Sequence, residues 1–168
     1  RLPDRSADLP PADQGIKPDI TANCPDADEP NDVCIKARTL NAASEGTGWV
    51  QRSGTIHSPL DIDWFAVTGL EGNHACLPGA AQCYLLRVQL HVPAGRVLRL
   101  CIYRDSCNGA NVCGDNSSAA APVTLEATYQ VDGTCGATDD AQLRVEVSPL
   151  DLKGNCTQYQ LTYRYDPC

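Results

Sequence analysis

The sequence predicts an all-β fold: a two-sheet antiparallel β-sandwich of jelly-roll type, with one short helix and several disulfides. Three observations lead there. Apolar and polar residues alternate with period two through seven segments, Gly, Pro, Asn and Asp cluster between those segments, and the 168 residues include ten cysteines. Strands that are apolar on one face only are satisfied when two such faces meet, which stacked sheets achieve.

In chain order, residues 1–23 carry Pro3, Pro10, Pro11 and Pro18 among Asp4, Asp8, Asp13 and Asp19, the composition of a flexible tether. The sandwich domain is expected over residues 24–168, with its helix at Asp32 to Leu40. Strands are expected at Trp49 to Ile56, Asp63 to Val67, Tyr84 to Val92, Val97 to Tyr103, Val123 to Val131, Gln142 to Ser148 and Tyr159 to Tyr165. Successive side chains of a strand point to opposite faces. Tyr84, Leu86, Val88, Leu90 and Val92 therefore face the core, while Leu85, Arg87, Gln89 and His91 face out. Leu125, Ala127, Tyr129 and Val131 form a second inward row, and Leu143, Val145 and Val147 a third. Tyr159, Tyr163 and Tyr165 share a face with Leu161 and are assigned to the core.

At 18.0 kDa, with 42% hydrophobic and 20% charged residues, the chain suits one domain, and no apolar run approaches the roughly 18 residues of a membrane helix. The net charge is −8 and the basic residues are scattered, which disfavours nucleic acid. The cysteines include no Cys-x-x-Cys, so disulfides in an oxidising compartment are expected rather than zinc or a redox motif. This is the pattern of an exported protein: extracellular, periplasmic or tethered to a cell surface. The chain starts at Arg1 and contains no Met, so a signal segment is expected to have been removed. Short loops favour pairing Cys24 with Cys34, Cys76 with Cys83 and Cys107 with Cys113, leaving Cys101 for Cys135 and Cys156 for Cys168.

Two acidic segments flank the first long strand. Asp28, Glu29, Pro30, Asn31 and Asp32 precede it; Asp61, Ile62, Asp63, Trp64 and Phe65 follow Gly54, Thr55 and Ile56. If the fold joins them, Glu29, Asp32, Asp61 and Asp63 crowd four carboxylates together, an arrangement that a cation or protons must neutralise. Hard oxygen ligands on irregular loops suit Ca²⁺, and Asn31 would add a carbonyl oxygen. The same residues also fit ordinary turn formation and capping of a following helix.

At Glu29 to Asp32, Gly54 to Ile56, Asp61 to Phe65 and the closing Tyr159 to Leu161, the chain resembles the bacterial pre-peptidase C-terminal domain family over about residues 26–165. The resemblance implies a small β-sandwich module of the kind appended to secreted proteases. It also implies a relationship to the collagen-binding domains of bacterial collagenases, which bind Ca²⁺ through the opening acidic segment and the later Asp-rich turn. Carried across, Glu29, Asn31, Asp32 and Asp63 are the best-matched ligands, with Asp61 and the Thr55 carbonyl beside them. Ala27 and Leu60 stand where those relatives place further acids. Ten cysteines exceed what the family leads one to expect and imply that disulfides share the ion's stabilising role.

The three histidines, His57, His74 and His91, do not form His-Glu-x-x-His, and no nucleophile elbow, Walker loop or dinucleotide fingerprint occurs. No catalytic residue is assigned and no enzyme is expected. Arg87, Gln89, His91, Arg99 and Tyr103 are the candidates for an outer-sheet ligand surface. Asn116 and Asn155 begin N-glycosylation patterns, incidental in a bacterial protein. The expected function is a non-catalytic accessory or binding module that attaches to an extracellular matrix polymer, polysaccharide, cell surface or partner protein. A purely structural or secretion/maturation module with no ligand of its own is the alternative, and a small secreted hydrolase built on a carboxylate pair ranks behind both.

Overall fold

All seven alternating segments form strands in the computed structural model, which describes residues 24, 26–72, 77–115, 120–151 and 156–168. The segment read as a tether, His74, Cys76 and both glycosylation asparagines lie outside the described residues. The strands are β1 (Arg38–Thr39), β2 (Ala43–Ser44), β3 (Val50–Ile56), β4 (Asp63–Leu70), β5 (Ala81–Val92), β6 (Leu98–Arg104), β7 (Asn111–Asp115), β8 (Val123–Thr134), β9 (Ala141–Pro149) and β10 (Thr157–Pro167). One sheet has the order β1-β4-β9-β6-β7 with β2 also on β4, and the other has the order β3-β10-β5-β8. From β3 onward the chain changes sheets at every connection except the β6–β7 hairpin.

The inward rows meet as expected. Phe65, Leu86, Val88, Leu90, Leu100, Ile102, Leu143, Val145, Val147, Leu161 and Tyr165 are fully buried between the sheets, with Tyr159 and Tyr163 beside them, while Tyr129 is half-buried. Two glycines make room for tyrosines of β10. A Cβ on Gly54 would lie 2.3 Å from the Tyr159 hydroxyl oxygen, and one on Gly69 would lie 2.7 Å from the Tyr165 ring.

Several expectations need correction. The helix over Asp32 to Leu40 is only a 3-10 turn, Cys34–Lys36, with no side-chain cap bond. An isolated helix that short is marginal, and pairing wins: Arg38 and Thr39 align with Phe65 and Ala66. The sheets are not wholly antiparallel, because β1 and β2 run parallel to β4.

All five expected disulfide pairings are also replaced. The bonds are Cys24–Cys156, Cys34–Cys107, Cys83–Cys168 and Cys101–Cys113, and Cys135 is bonded as well. Closeness in sequence was the wrong guide, since strand register decides. Cys101 sits directly opposite Cys113 across β6 and β7, and the Cys168 N–H donates to the Cys83 carbonyl at 3.0 Å. No helix among the described residues is long and apolar enough to cross a membrane.

Candidate functional site

The end of β3 and the start of β4 lie together, and residues 26–36 fold against them. Asn31 fixes this contact. Its carbonyl accepts from the Trp64 N–H at 3.1 Å, and its Nδ2 donates to the Trp64 carbonyl at 3.5 Å. Two nearby acids are fully engaged. Asp26 accepts from the Thr55 N–H at 2.9 Å and the Asp28 N–H at 2.7 Å. Asp28 accepts from Arg52 Nε at 2.9 Å and from its Nη2, with Arg38 Nε 3.4 Å away.

Glu29, Asp61 and Asp63 are placed differently. Asp61 is 3% and Asp63 0% exposed. Asp61 Oδ2 accepts from the His57 N–H at 2.7 Å, and Asp63 Oδ2 accepts from the Tyr159 hydroxyl at 2.6 Å. Glu29 Oε2 accepts from the Asn31 N–H at 3.1 Å. The opposite oxygens, Glu29 Oε1, Asp61 Oδ1 and Asp63 Oδ1, together with Asn31 Oδ1, are buried with no hydrogen-bond partner.

Burial dominates the electrostatics. It raises Glu29, pushes Asp61 up to about 7 and holds Asp63 well above the carboxylate range, the Asp61 charge adding to the last shift. Burial and the Asp63 charge likewise raise the Tyr159 hydroxyl.

His57, which sequence reasoning left out, sits in the middle. Its Nδ1 is 3.1 Å from Asp61 Oδ2 and its Nε2 is 3.4 Å from Glu29 Oε1. Ligand atoms of Glu29, His57 and Asp61 all lie within 4.8 Å of one another, a spacing a metal ion can bridge. The signal in the sequence was its spacing of four from Asp61 in a short turn, which aims both side chains the same way.

Of the six residues read as ligands, Glu29 and Asp61 bring ligand atoms within 4.8 Å of each other and of His57, while Asp63 and Asn31 lie beside this group rather than in it. Asp32 is half-buried, and its carboxylate adds to the upward push on Asp61. Thr55 lines the outer face of the β3-β10-β5-β8 sheet, with its N–H committed to Asp26. The orphaned oxygens fit a hard cation: each is a buried acceptor, and an acceptor left without a donor costs about 1–3 kcal/mol.

The five ligand-surface candidates do not form one surface. Arg87, Gln89 and His91 lie on β5, in the four-stranded sheet, whereas Arg99 and Tyr103 lie on β6, in the other sheet. Both sets point outward, so the sandwich separates them. Tyr103 packs on Trp64 at 5.2 Å and donates to Glu146 Oε2 at 2.7 Å. Arg87 faces Glu126 at 3.9 Å and Asp166 at 3.6 Å, and Gln89 donates to Glu126 at 3.0 Å.

Of the five, His91 borders a cavity. A trough of about 660 Å³ crosses one end of the four-stranded sheet's outer face, walled by Pro93 and Pro122 and floored by Ser53, Thr55, Gln158 and Gln160. Register places Ser53, Gln160, His91 and Thr124 in one cross-strand row. His91 Nδ1 lies 2.9 Å from Thr124 Oγ1. The side chains of Ser53, Gln158 and Gln160 make no hydrogen bond among the described residues.

Compared with known proteins, the chain matches no family model and no curated protein. Among solved structures it is similar to PliG of Aeromonas hydrophila, a periplasmic inhibitor of g-type lysozyme. The identity is 11%, over 77% of this chain and 98% of that one, with a TM-score of 0.34. A likeness of that degree bears on neither fold nor function.

Proposed function

We propose that the chain is an exported, non-catalytic binding module of the pre-peptidase C-terminal kind. It attaches through the trough on its four-stranded sheet to an extracellular polymer or surface protein. The observation that carries this is the uncommitted set of Ser53, Gln158 and Gln160, held by rigid strands inside a walled cavity. The carboxylate in that trough, Asp26, is spent on two backbone N–H groups, and the crowded acids Asp61 and Asp63 are enclosed beyond reach of a substrate.

The strand order, with two sheets exchanging strands at nearly every connection, supports the jelly-roll reading. At the acidic end, Glu29, Asn31, Asp61 and Asp63, with Asp32 beside them, would hold Ca²⁺. The ion supplies the positive charge that their unpartnered oxygens lack.

Retention of the full chain on collagen, chitin and cell-wall material, with Ca²⁺ and with chelator, tests the binding reading. We expect retention on one of them and its loss in Gln158→Ala/Gln160→Ala. No retention anywhere, or retention indifferent to those substitutions, would overturn it.

A further inference from the structure

The turn that joins β3 to β4 carries His57 and Asp61, and Glu29 packs against them from the segment ahead of β1. Local hydrogen bonds hold the turn in shape: the Asp61 N–H donates to the Ser58 carbonyl at 3.3 Å, and the Leu60 N–H donates to Ser58 Oγ at 3.2 Å. Each carboxylate has one oxygen anchored by a backbone N–H, Asp61 Oδ2 by that of His57 and Glu29 Oε2 by that of Asn31. The other oxygen of each, Asp61 Oδ1 and Glu29 Oε1, has no hydrogen-bond partner. Carboxylates that hold metals are characteristically steadied by such second hydrogen bonds.

The independent observation is the imidazole. His57 is 6% exposed, and its Nδ1 has no hydrogen-bond partner although Asp61 Oδ2 lies 3.1 Å away. Its Nε2 is 3.4 Å from Glu29 Oε1, and one ligand atom from each of the three residues falls within 4.8 Å of the others. Ligands about 2.0–2.2 Å from a tetrahedral zinc ion lie roughly 3.3–3.6 Å from one another, so little movement separates this arrangement from a shared ion. Ca²⁺ and Mg²⁺ take oxygen ligands, whereas imidazole nitrogen suits Zn²⁺ and its first-row neighbours. Two carboxylates and a neutral imidazole also balance the charge of a dication, as burial requires. Whichever ring nitrogen the ion takes, the other stays beside a carboxylate, the support that metal-binding histidines usually have.

We propose that Glu29, His57 and Asp61 form a site for a first-row transition dication, Zn²⁺ foremost, which this end of the sandwich takes in preference to Ca²⁺. Given the reading of the acidic end as an ion site, on which this rests, the donor set decides the class of ion: Ca²⁺ would engage the oxygens alone, and Zn²⁺ adds His57. The three side chains are almost wholly enclosed, so the ion would be structural, pinning the segment before β1 to the β3–β4 turn.

The test is calorimetric titration of the chelator-treated, disulfide-intact full chain with Zn²⁺ and, separately, with Ca²⁺. The unsubstituted protein should bind one equivalent of Zn²⁺ at this end, more tightly than it binds Ca²⁺. His57→Gln should weaken that equivalent by more than the roughly 10- to 100-fold that loss of a mere supporting group costs, and should change Ca²⁺ affinity little. His91→Gln, which removes the histidine of the trough, should keep the equivalent. Near-UV circular dichroism checks each fold, and Glu29→Gln, which keeps an acceptor oxygen for the Asn31 N–H, should also weaken Zn²⁺ and serves should His57→Gln not fold. Ca²⁺ binding as tightly as Zn²⁺, or without it, would overturn this proposal and leave the ion reading standing, whereas uptake of neither would overturn both. Zn²⁺ affinity unchanged in His57→Gln, or lost in His91→Gln, would overturn it as well.

Discussion

Strand β4 runs from one acidic cluster to the other, ~23 Å at the usual rise of a strand, and each end receives a tyrosine of β10 seated over a glycine. At the first end Tyr159 lies against Gly54 and donates to Asp63, which is 0% exposed. At the second, where the carboxylates of Glu45, Glu71, Asp139 and Asp140 accept from the backbone N–H groups of Gly72, Asp139, Thr134 and Glu71, Tyr165 lies against Gly69 with its hydroxyl unpartnered, and Asp140 is exposed. The first cluster lies inside the protein and depends on protons, His57 or a cation for neutralisation. The second is half-solvated and held by amides. Burial, rather than the number of carboxylates, decides whether a like-charge cluster threatens the fold.

The largest effect expected is from Gly54→Ala. The added Cβ meets the Tyr159 hydroxyl at 2.3 Å and must push the ring off Asp63, costing about 3 kcal/mol or preventing folding; urea unfolding measures it. A loss below about 1 kcal/mol would mean the Tyr159 position is not fixed by that glycine. Next is pH.

Glu29, Asp61 and Asp63 are all raised by burial, so the ion-free folded protein holds protons that the unfolded chain has released. Their contribution to stability is full below the unfolded carboxylate value and is lost as pH rises toward about 7, where Asp61 titrates. In chelator, stability should therefore be greater at pH 5 than at pH 8, by on the order of 2 kcal/mol. Saturating Ca²⁺ should flatten or reverse that slope, since the ion binds the deprotonated form. Equal urea midpoints at the two pH values would remove the distinction between the ends.

Much of this was legible in the sequence, for an identifiable reason. Alternation is a local signal, so Leu86, Val88, Leu90, Leu143, Val145 and Leu161 could be assigned inward one strand at a time, and all are fully buried. The joining of Glu29 to Asp61 was legible through flanking motifs around a single strand. What escaped was set by register and pairing. Cys101 opposes Cys113, and Cys24 finds Cys156 132 residues away. Arg38 and Thr39 become a strand only because β4 lies beside them. The second acidic end comes from three loops far apart in sequence, none of which carries a motif. Nor did any sequence feature say that β5 and β6, consecutive strands, belong to different sheets, which is why Tyr103 was placed beside His91.

The two tyrosines permit a matched comparison at a smaller scale. Tyr159→Phe removes a 2.6 Å donor from a buried carboxylate and should destabilise the protein by about 1.5 kcal/mol in chelator. Tyr165→Phe removes a hydroxyl with no partner and should change stability by less than about 0.5 kcal/mol in the same buffer. Equal losses would show that the Tyr165 hydroxyl has a protein partner.

The smallest effect is expected of Asp140→Asn in chelator. Asp140 is exposed and its Oδ1 accepts from the Glu71 N–H at 3.1 Å, a role the Asn oxygen can take over, so only a solvated charge is removed. Exposed substitutions of this kind stay within about 0.5 kcal/mol. Asp63→Asn, by contrast, removes a charge from a fully buried site and should stabilise the ion-free protein at pH 8 while abolishing stabilisation by an ion at that end. Parallel thermal unfolding of the two variants, with and without Ca²⁺, would reveal whether the ends differ in sign, as burial requires, or only in degree.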